Sequence, residues 1–492
     1  MRYPCKNRFA RRVGVAGCVF ALLALVGAGC AYFNTFYNAK KLYADASQTP
    51  KARDGATSSG AADQYKKAIE KCQALIAMYP KSKYVDDAML LIGKCLYEQG
   101  EYGDAIAQLA ELDSVSRDED IRAEGRVYAA RSYMAKDDIA SAVPIARRLV
   151  DGDPDNASDE SLFLLGTALV KLGEEDQAVK YLEQLATRYP KSAYRVEADL
   201  ETAEVYAERG ENEKSLAVYD RLKAVRLVEK DKIRYLSNLG KLHADMGEYA
   251  KAVAVFRELD GYVLDPVAKA ANLLVAARAY AGLDSLPVAI DTYKTVAVSY
   301  PRSPFSAEAH YRLGEIYQDK LDSLQIAERE FNEVSGQSAS SPFADEAISR
   351  SSAISKLLKL RDSLKSGAAV DSAGVEFDLA ELELFQFKNY VKALGGYKKV
   401  LDEYPDSELA PKAAYAIAYI YDVNMGDAQK AREAYEHVVN RYPESQQAEY
   451  ARQALTRFQT GQPLPPPDQQ PGQQPTEQPP EQQPAQQPEK QP

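Results

Sequence analysis

The residues of this 492-residue chain best suited to bond-making chemistry are its five cysteines, its three histidines and its adjacent carboxylates. A metal centre or an acid–base pair needs such groups to converge. His243, His310 and His437 are scattered, and none has a Cys or His at the spacing of a zinc or copper ligand set. No Gly-x-x-x-x-Gly-Lys phosphate loop, Gly-x-Ser-x-Gly nucleophile turn or His-Glu-x-x-His helix occurs. The acidic pairs Asp86-Asp87, Asp137-Asp138 and Glu174-Glu175 are sequence neighbours, which do not share a helical face, so they read as solvated charge. The chain is therefore expected not to be an enzyme and to hold no metal and no cofactor.

The cysteines suggest a different chemistry. Arg2, Lys6, Arg8, Arg11 and Arg12 precede a charge-free apolar run from Val13 to Gly29, and the small residues Gly27-Ala28-Gly29 lead into Cys30. That order is an export signal, and a 17-residue run sits at the short limit for a retained membrane helix. A cysteine at the cleavage site resembles the lipobox of bacterial lipoproteins, which implies cleavage after residue 29 and acylation of the Cys30 thiol. Val15-Ala16-Gly17-Cys18 fits the local pattern better, but only Val13 and Gly14 would then separate it from the basic region, leaving almost no apolar segment. Ala31, rather than Asp, after the cysteine implies by the same resemblance an outer-membrane, periplasm-facing location. Removing residues 1–29 takes five basic groups and no acid from a formal charge of −11, leaving −16. So acidic a chain is a poor match for nucleic acid. Cys72 and Cys95 remain. Both fall at apolar helical positions and are expected as buried free thiols, with a disulfide the alternative that an oxidising compartment permits.

The elements that position these residues are legible as a repeat. Tyr79-Pro80-Lys81-Ser82, Tyr189-Pro190-Lys191-Ser192, Tyr300-Pro301-Arg302-Ser303, Tyr404-Pro405-Asp406-Ser407 and Tyr442-Pro443-Glu444-Ser445 share one string. Twelve residues before each proline stands an alanine (Ala68, Ala178, Ala289, Ala393, Ala431), and eight after stands another (Ala88, Ala198, Ala309, Ala413, Ala451). The prolines are 110, 111, 104 and 38 residues apart, so the unit is about 36 residues and each long gap holds three. Ala88, Leu91, Ile92 and Cys95 share one helical face, and Tyr102, Ala105, Ile106, Leu109 and Leu112 share one on the next helix. Glycines such as Gly100 and Gly247 turn the corner between them. Proline ends the second helix and the serine two residues on is placed to cap the next.

Gly93, Gly100, Tyr102 and Ala105, and Gly240, Gly247, Tyr249, Ala252 and Phe256, keep the spacing of tetratricopeptide repeats, which the chain resembles over about residues 61–458. The departures are the absence of Trp, a one-residue insertion between Gly314 and Ala327, and a stretch at 342–374 that fits no unit. The resemblance implies an all-α solenoid of about ten helical hairpins, wound into a superhelix whose concave face binds protein partners. Tyr219, Tyr293, Tyr397 and Tyr435 fall at core positions. Tyr311, Tyr317, Tyr415, Tyr419 and Tyr421 lie on first helices, which line the groove in that family, and are the candidate groove tyrosines.

The expected organisation is a signal peptide at 1–29, a lipidated helix and linker at 30–60, the solenoid at 61–459 (342–374 atypical), and a disordered Pro/Gln-rich tail at 460–492. The helical composition from Tyr32 to Ala46 reads either as a partner for the helix holding Ala68 or as a spacer. The Tyr-Pro-x-Ser strings are similar to the repeats of the lipoprotein of the β-barrel assembly machinery, and 404–455 to those of the Tol–Pal coordinator. The expected function is a lipid-anchored periplasmic scaffold in outer-membrane protein assembly or envelope biogenesis, with a cell-division coordinator or a peptidoglycan-binding protein as alternatives.

Overall fold

The structure, a computed structural model, describes residues 34–50 and 57–460 apart from 153, 156, 368 and 370. The signal segment, Cys30 and the tail after Thr460 lie outside the described residues. All regular structure among the described residues is helical. The chain divides into two compact units, Met1–Leu264 and Asp265–Pro492.

In the first unit the hairpins are α1 (34–47) with α2 (Ser59–Met78) and α3 (Val85–Gln99) with α4 (Tyr102–Val115), then α5 (Glu119–Ala135) with α6 (Ile139–Asp151). α7 (Asp159–Leu172) pairs with α8 (Glu175–Arg188), α9 (Arg195–Glu208) with α10 (Asn212–Leu222), and α11 (Glu229–Asp245) with α12 (Tyr249–Leu259). The second unit holds α13 (Pro266–Gly282) with α14 (Leu286–Ser299), α15 (Pro304–Glu315) with α16 (Leu324–Gln337), and the lone α17 (Ala344–Lys365). It continues with α18 (Ser372–Glu381) and α19 (Tyr390–Glu403), α20 (Ala410–Tyr419) and α21 (Ala428–Arg441), and closes on α22 (Gln446–Thr460). Stretch 342–374 is thus one long helix and the start of another. The residues 34–47 do pair with α2, burying Phe36, Ala39 and Ala46 against Tyr65, Ala68 and Leu75. Cys72 and Cys95 are free thiols in this core, and burial pushes Cys72 up to about 12 and Cys95 higher.

The close approach within a hairpin is explicit at four glycines. A Cβ on Gly93, Gly166, Gly240 or Gly314 would stand 2.4, 2.6, 2.8 or 2.6 Å from Leu109, Leu182, Phe256 or Phe331. The small residue on the first helix is the socket for the large one on the second. Where the socket is alanine, the knob is a buried residue such as Tyr219, Tyr293, Tyr397 or Tyr435, each at most 2% exposed.

All five tyrosines before proline end their helix in one conformation, with φ between −134° and −123° and ψ between 53° and 63°. Each amide still donates to the carbonyl four residues back, at 2.8–3.0 Å. Proline then stops the run because the residue before it is forced out of the α region. The serines divide. Ser303 and Ser445 accept from Ser306 and Ala448 as helix caps at 3.1 Å. Ser82, Ser192 and Ser407 instead accept from the amide two residues on, closing a turn before the next helix starts.

The corners come in two kinds. Gly93, Ala130, Gly166, Ala203, Gly240 and Ala277 are followed seven residues later by a left-handed residue: Gly100, Asp137, Gly173, Gly210, Gly247 or Asp284, with φ of 55° to 83°. The amide after it reaches back five residues, as from Glu101 to Leu96 at 3.0 Å, closing the helix end. In α15, α18 and α20 the left-handed residue comes eight residues after Gly314, Ala380 and Ala418, at Asp322, Lys388 and Gly426. There the last turn is π-helical, at Ile316–Lys320, Leu382–Gln386 and Ile420–Asn424. Leu321, Phe387 and Met425 donate to Ile316, Leu382 and Ile420 at 3.0–3.1 Å. The extra residue is absorbed by widening one turn, so Ala327, Ala393 and Ala431 still reach their sockets fully buried.

Candidate protein-docking surface

In the first unit α3 packs on α5, α5 on α7, α7 on α9 and α9 on α11, whereas α4, α6, α8, α10 and α12 make no comparable contact with one another among the described residues. First helices therefore approach more closely than second helices, and the side they line is the inner one.

One register position organises that side. The residue after the small socket residue pairs with a residue on the next first helix, 29 or 30 positions on. Lys94 on α3 meets Glu124 on α5 at 2.6 Å, Arg131 on α5 meets Glu160 on α7, and Glu204 on α9 takes Arg234 on α11 through two bonds of 2.6 and 2.7 Å. The third rung reverses the sign of the first two. Aromatic rings fill the spaces between. Lys94 lies 5.5 Å over Tyr43 and 5.0 Å over Tyr128, and Arg131 lies 5.3 Å over Tyr128 while donating to the Tyr194 hydroxyl at 3.0 Å. Tyr97 meets Tyr128 edge-on at 5.5 Å and Phe163 stacks on Tyr194 at 5.0 Å. Each such cation–ring contact is worth about 0.5–1 kcal/mol where water reaches it. A cavity of about 510 Å³ opens here, bounded by Val127, Tyr128, Arg131, Glu160, Ser161 and Tyr194.

The electrostatics hold the cations of this face charged and its phenols neutral. Burial opposes the charge on Arg131, but Glu160 and the neighbouring hydroxyls outweigh it and its pKa rises. Burial, then Glu160, raises Tyr194, and burial raises Tyr43 and Tyr97, so these phenols stay neutral. Farther along, burial pushes the Glu201 carboxyl up against the pull of Arg234. Among the described residues no group of three or more His, Cys, Asp or Glu could hold a metal ion, and no helix is long and apolar enough to cross a membrane.

The tyrosines expected in a groove lie in the second unit and separate into two sets. Tyr311 and Tyr317 are only 6% and 8% exposed. Tyr311 stacks on Phe343 at 4.7 Å and meets Phe331 edge-on at 5.7 Å. These two rings build the core and offer no face to a ligand. Tyr415, Tyr419 and Tyr421 are half-buried. Tyr415 lies 5.7 Å from Tyr435 and 6.0 Å from Tyr450, and burial pushes it up to about 12, while Lys430 covers Tyr421 at 5.6 Å. His243 and His310 bond Glu248 and Glu330 at 2.7 Å, ordinary ties within hairpins. Of the acidic pairs, Asp137 turns a corner and Asp138 caps α6, while Asp86 accepts from Ser116 at 2.6 Å, so these carboxylates are structural. The ladder residues Lys94, Arg131, Glu160, Glu204 and Arg234 were missed by sequence reasoning. Their signal was a charged residue directly after the sockets Gly93, Ala130 and Ala203.

Tetratricopeptide-repeat profiles match residues 61–125, 160–192, 233–261 and 412–445. No curated protein gives a significant match. Among solved structures, the C-terminal part of a TPR repeat-containing protein from Cytophaga hutchinsonii aligns at 16% identity over 52% of this chain and 98% of that one, with a TM-score of 0.42. A tetratricopeptide repeat protein from Parabacteroides merdae aligns at 13% identity over 64% and 99%, with a TM-score of 0.31. A structure of Naa15/Naa10 bound to HypK-THB aligns at 14% identity over 87% and 66%, with a TM-score of 0.32. With its small-residue sockets and left-handed corners, the chain has an all-helical, solenoid-like fold, and it carries tetratricopeptide repeats at the four matched stretches.

Proposed function

We propose that this protein is a lipid-anchored scaffold on the periplasmic side of the outer membrane, which holds protein partners against the inner face of its first helices during outer-membrane protein assembly or envelope biogenesis. Tetratricopeptide repeats are protein–protein interaction scaffolds, and the ladder from Lys94 to Arg234 is the observation that carries the reading here. Its charges are paired and its rings held in place, so a partner meets a preformed surface and little ordering opposes binding. Mixed sign and abundant Tyr suit a protein segment with both apolar and charged side chains. The half-buried Tyr415, Tyr419 and Tyr421 offer a smaller second contact in the other unit. Cys30 supplies the anchor, through the basic, apolar and small-residue order that precedes it.

In-cell crosslinking in the native host, followed by mass spectrometry, tests the role. Recovery of a β-barrel assembly subunit fits the proposal. Recovery of division or peptidoglycan-bound proteins moves the chain to a coordinator role, and no protein adduct overturns the scaffold reading. Anchoring is tested separately: a Cys30→Ser protein that still fractionates with membranes and carries the same lipid mass overturns acylation there.

A further inference from the structure

The three π-turns form a feature that the inner face does not use. They bring apolar side chains to the corner edge of their hairpins: Leu321, Phe385, Val391 and Met425 are 41%, 48%, 74% and 46% exposed. Between these corners lies a cleft of about 620 Å³, floored by Leu324, Leu357 and Phe387 and walled by Tyr390, Val391 and Met425. Lys392 pairs with Asp322 across it at 2.7 Å. Lys320 and Lys388 also line it, and neither is in an ion pair among the described residues.

The last described helix, α22, ends at this same edge. Three residues before the end of α22, Arg457 is bonded to Asp422 in the third π-turn, which sets Thr460 beside that corner. The 32 residues that follow, 461–492, begin Gly461-Gln462-Pro463-Leu464-Pro465-Pro466-Pro467-Asp468. Leu464 is the only large apolar side chain among them, and Asp468 is the first charge. Extended proline-rich sequence spans about 3.1 Å per residue, so Leu464 reaches roughly 12 Å from Thr460. Met425, which closes the third corner, itself lines the cleft, so that reach brings Leu464 to its rim.

We propose that the corner edge built by the π-turns is the docking site of the chain's own segment Pro463–Asp468. Proline-rich segments bind apolar and aromatic clefts through a conformation they already favour, losing little entropy. Leu464 and the prolines lie against Met425, Val391 and Phe387, and Asp468 meets Lys388. The tail is tethered at the rim, so a weak contact is enough to fill the cleft. This site is independent of the inner face of the first unit.

The test uses the full chain with a photo-crosslinking residue in place of Leu464. The proposal expects adducts within one molecule, on 385–391 or on Met425 and its neighbours. Adducts elsewhere, between two copies, or absent altogether overturn it. A second measurement follows amide exchange at 383–391 in the full chain. Leu464→Asp lies beyond the described helices, and it should speed exchange there roughly fivefold. Val391→Asp, at an exposed position, should abolish the crosslink while leaving the helical content intact. Unchanged exchange in the Leu464→Asp chain, or a crosslink that survives Val391→Asp, contradicts the proposal.

Discussion

The corners at Gly100, Gly173 and Gly247 and those at Asp322, Lys388 and Gly426 solve one problem in two ways. In the first set the socket and the alanine of the second helix are twelve residues apart, and a left-handed glycine closes the helix. In the second they are thirteen apart, and a π-turn holds the extra residue. Ala105, Ala178 and Ala252 are fully buried, and so are Ala327, Ala393 and Ala431. The register of the packed face is therefore fixed more strictly than the backbone hydrogen bonding of the corner. An insertion is tolerated where it reaches only the corner, and there it changes which side chains the edge presents.

The largest effects should come from the packed face and should be equal in the two sets. Phe331→Ala and Phe256→Ala each empty the space above a glycine socket and should cost about 3–5 kcal/mol, read from denaturant midpoints. A much smaller loss at Phe331 would mean that the π-turn has loosened its hairpin. The reciprocal change, Gly240→Ala or Gly314→Ala, pushes a Cβ into Phe256 or Phe331 and should cost about 1–3 kcal/mol. Next in size is the corner itself. Gly100→Ala forces alanine to φ 83° and should cost about 1–2 kcal/mol, whereas Lys388→Gly, at φ 51°, should stabilise by up to about 1 kcal/mol.

The smallest effect is electrostatic. Burial raises the carboxyls of Glu201 in the first unit and Glu383 in the second. A raised folded-state pKa means that the folded chain holds the proton more tightly, so stability is highest below the ordinary carboxylate range. It falls as pH rises through the window between the ordinary and the raised value. Glu201→Gln should remove that fall and raise the neutral-pH melting temperature by a degree or two, roughly the effect of half a kcal/mol. Glu383→Gln should gain less, because it also loses the charge that Arg361 meets at 3.1 Å. A larger gain at Glu383 would show that the Arg361 pair contributes nothing.

Much of the fold was legible because each unit repeats a local instruction. Tyr-Pro-x-Ser marks the joint between hairpins, and alanines at fixed distances mark the sockets. The insertion after Gly314 was visible because glycine marks that socket, while the same insertion after Ala380 and Ala418 was hidden by alanines that resemble their neighbours. The inner face was harder to read. Tyr311 and Tyr317 sit on a first helix, but Phe343 and α17 cover that region, and nothing local announces α17 as a lone helix. The ladder was obscured because its partners are 29 or 30 residues apart, and because its sign changes between Arg131–Glu160 and Glu204–Arg234.

The central claim, that partners dock on the first-helix face of the first unit, is tested most directly by photo-crosslinking in the native host from two positions in the full chain. One is Tyr128, on the inner face between Lys94 and Arg131. The other is Ala110, exposed on α4. The account predicts a discrete protein adduct from position 128 that is lost when Arg131 is replaced by Glu, and none from position 110. Equal labelling from both positions, or an adduct from 128 unaffected by Arg131→Glu, would contradict it.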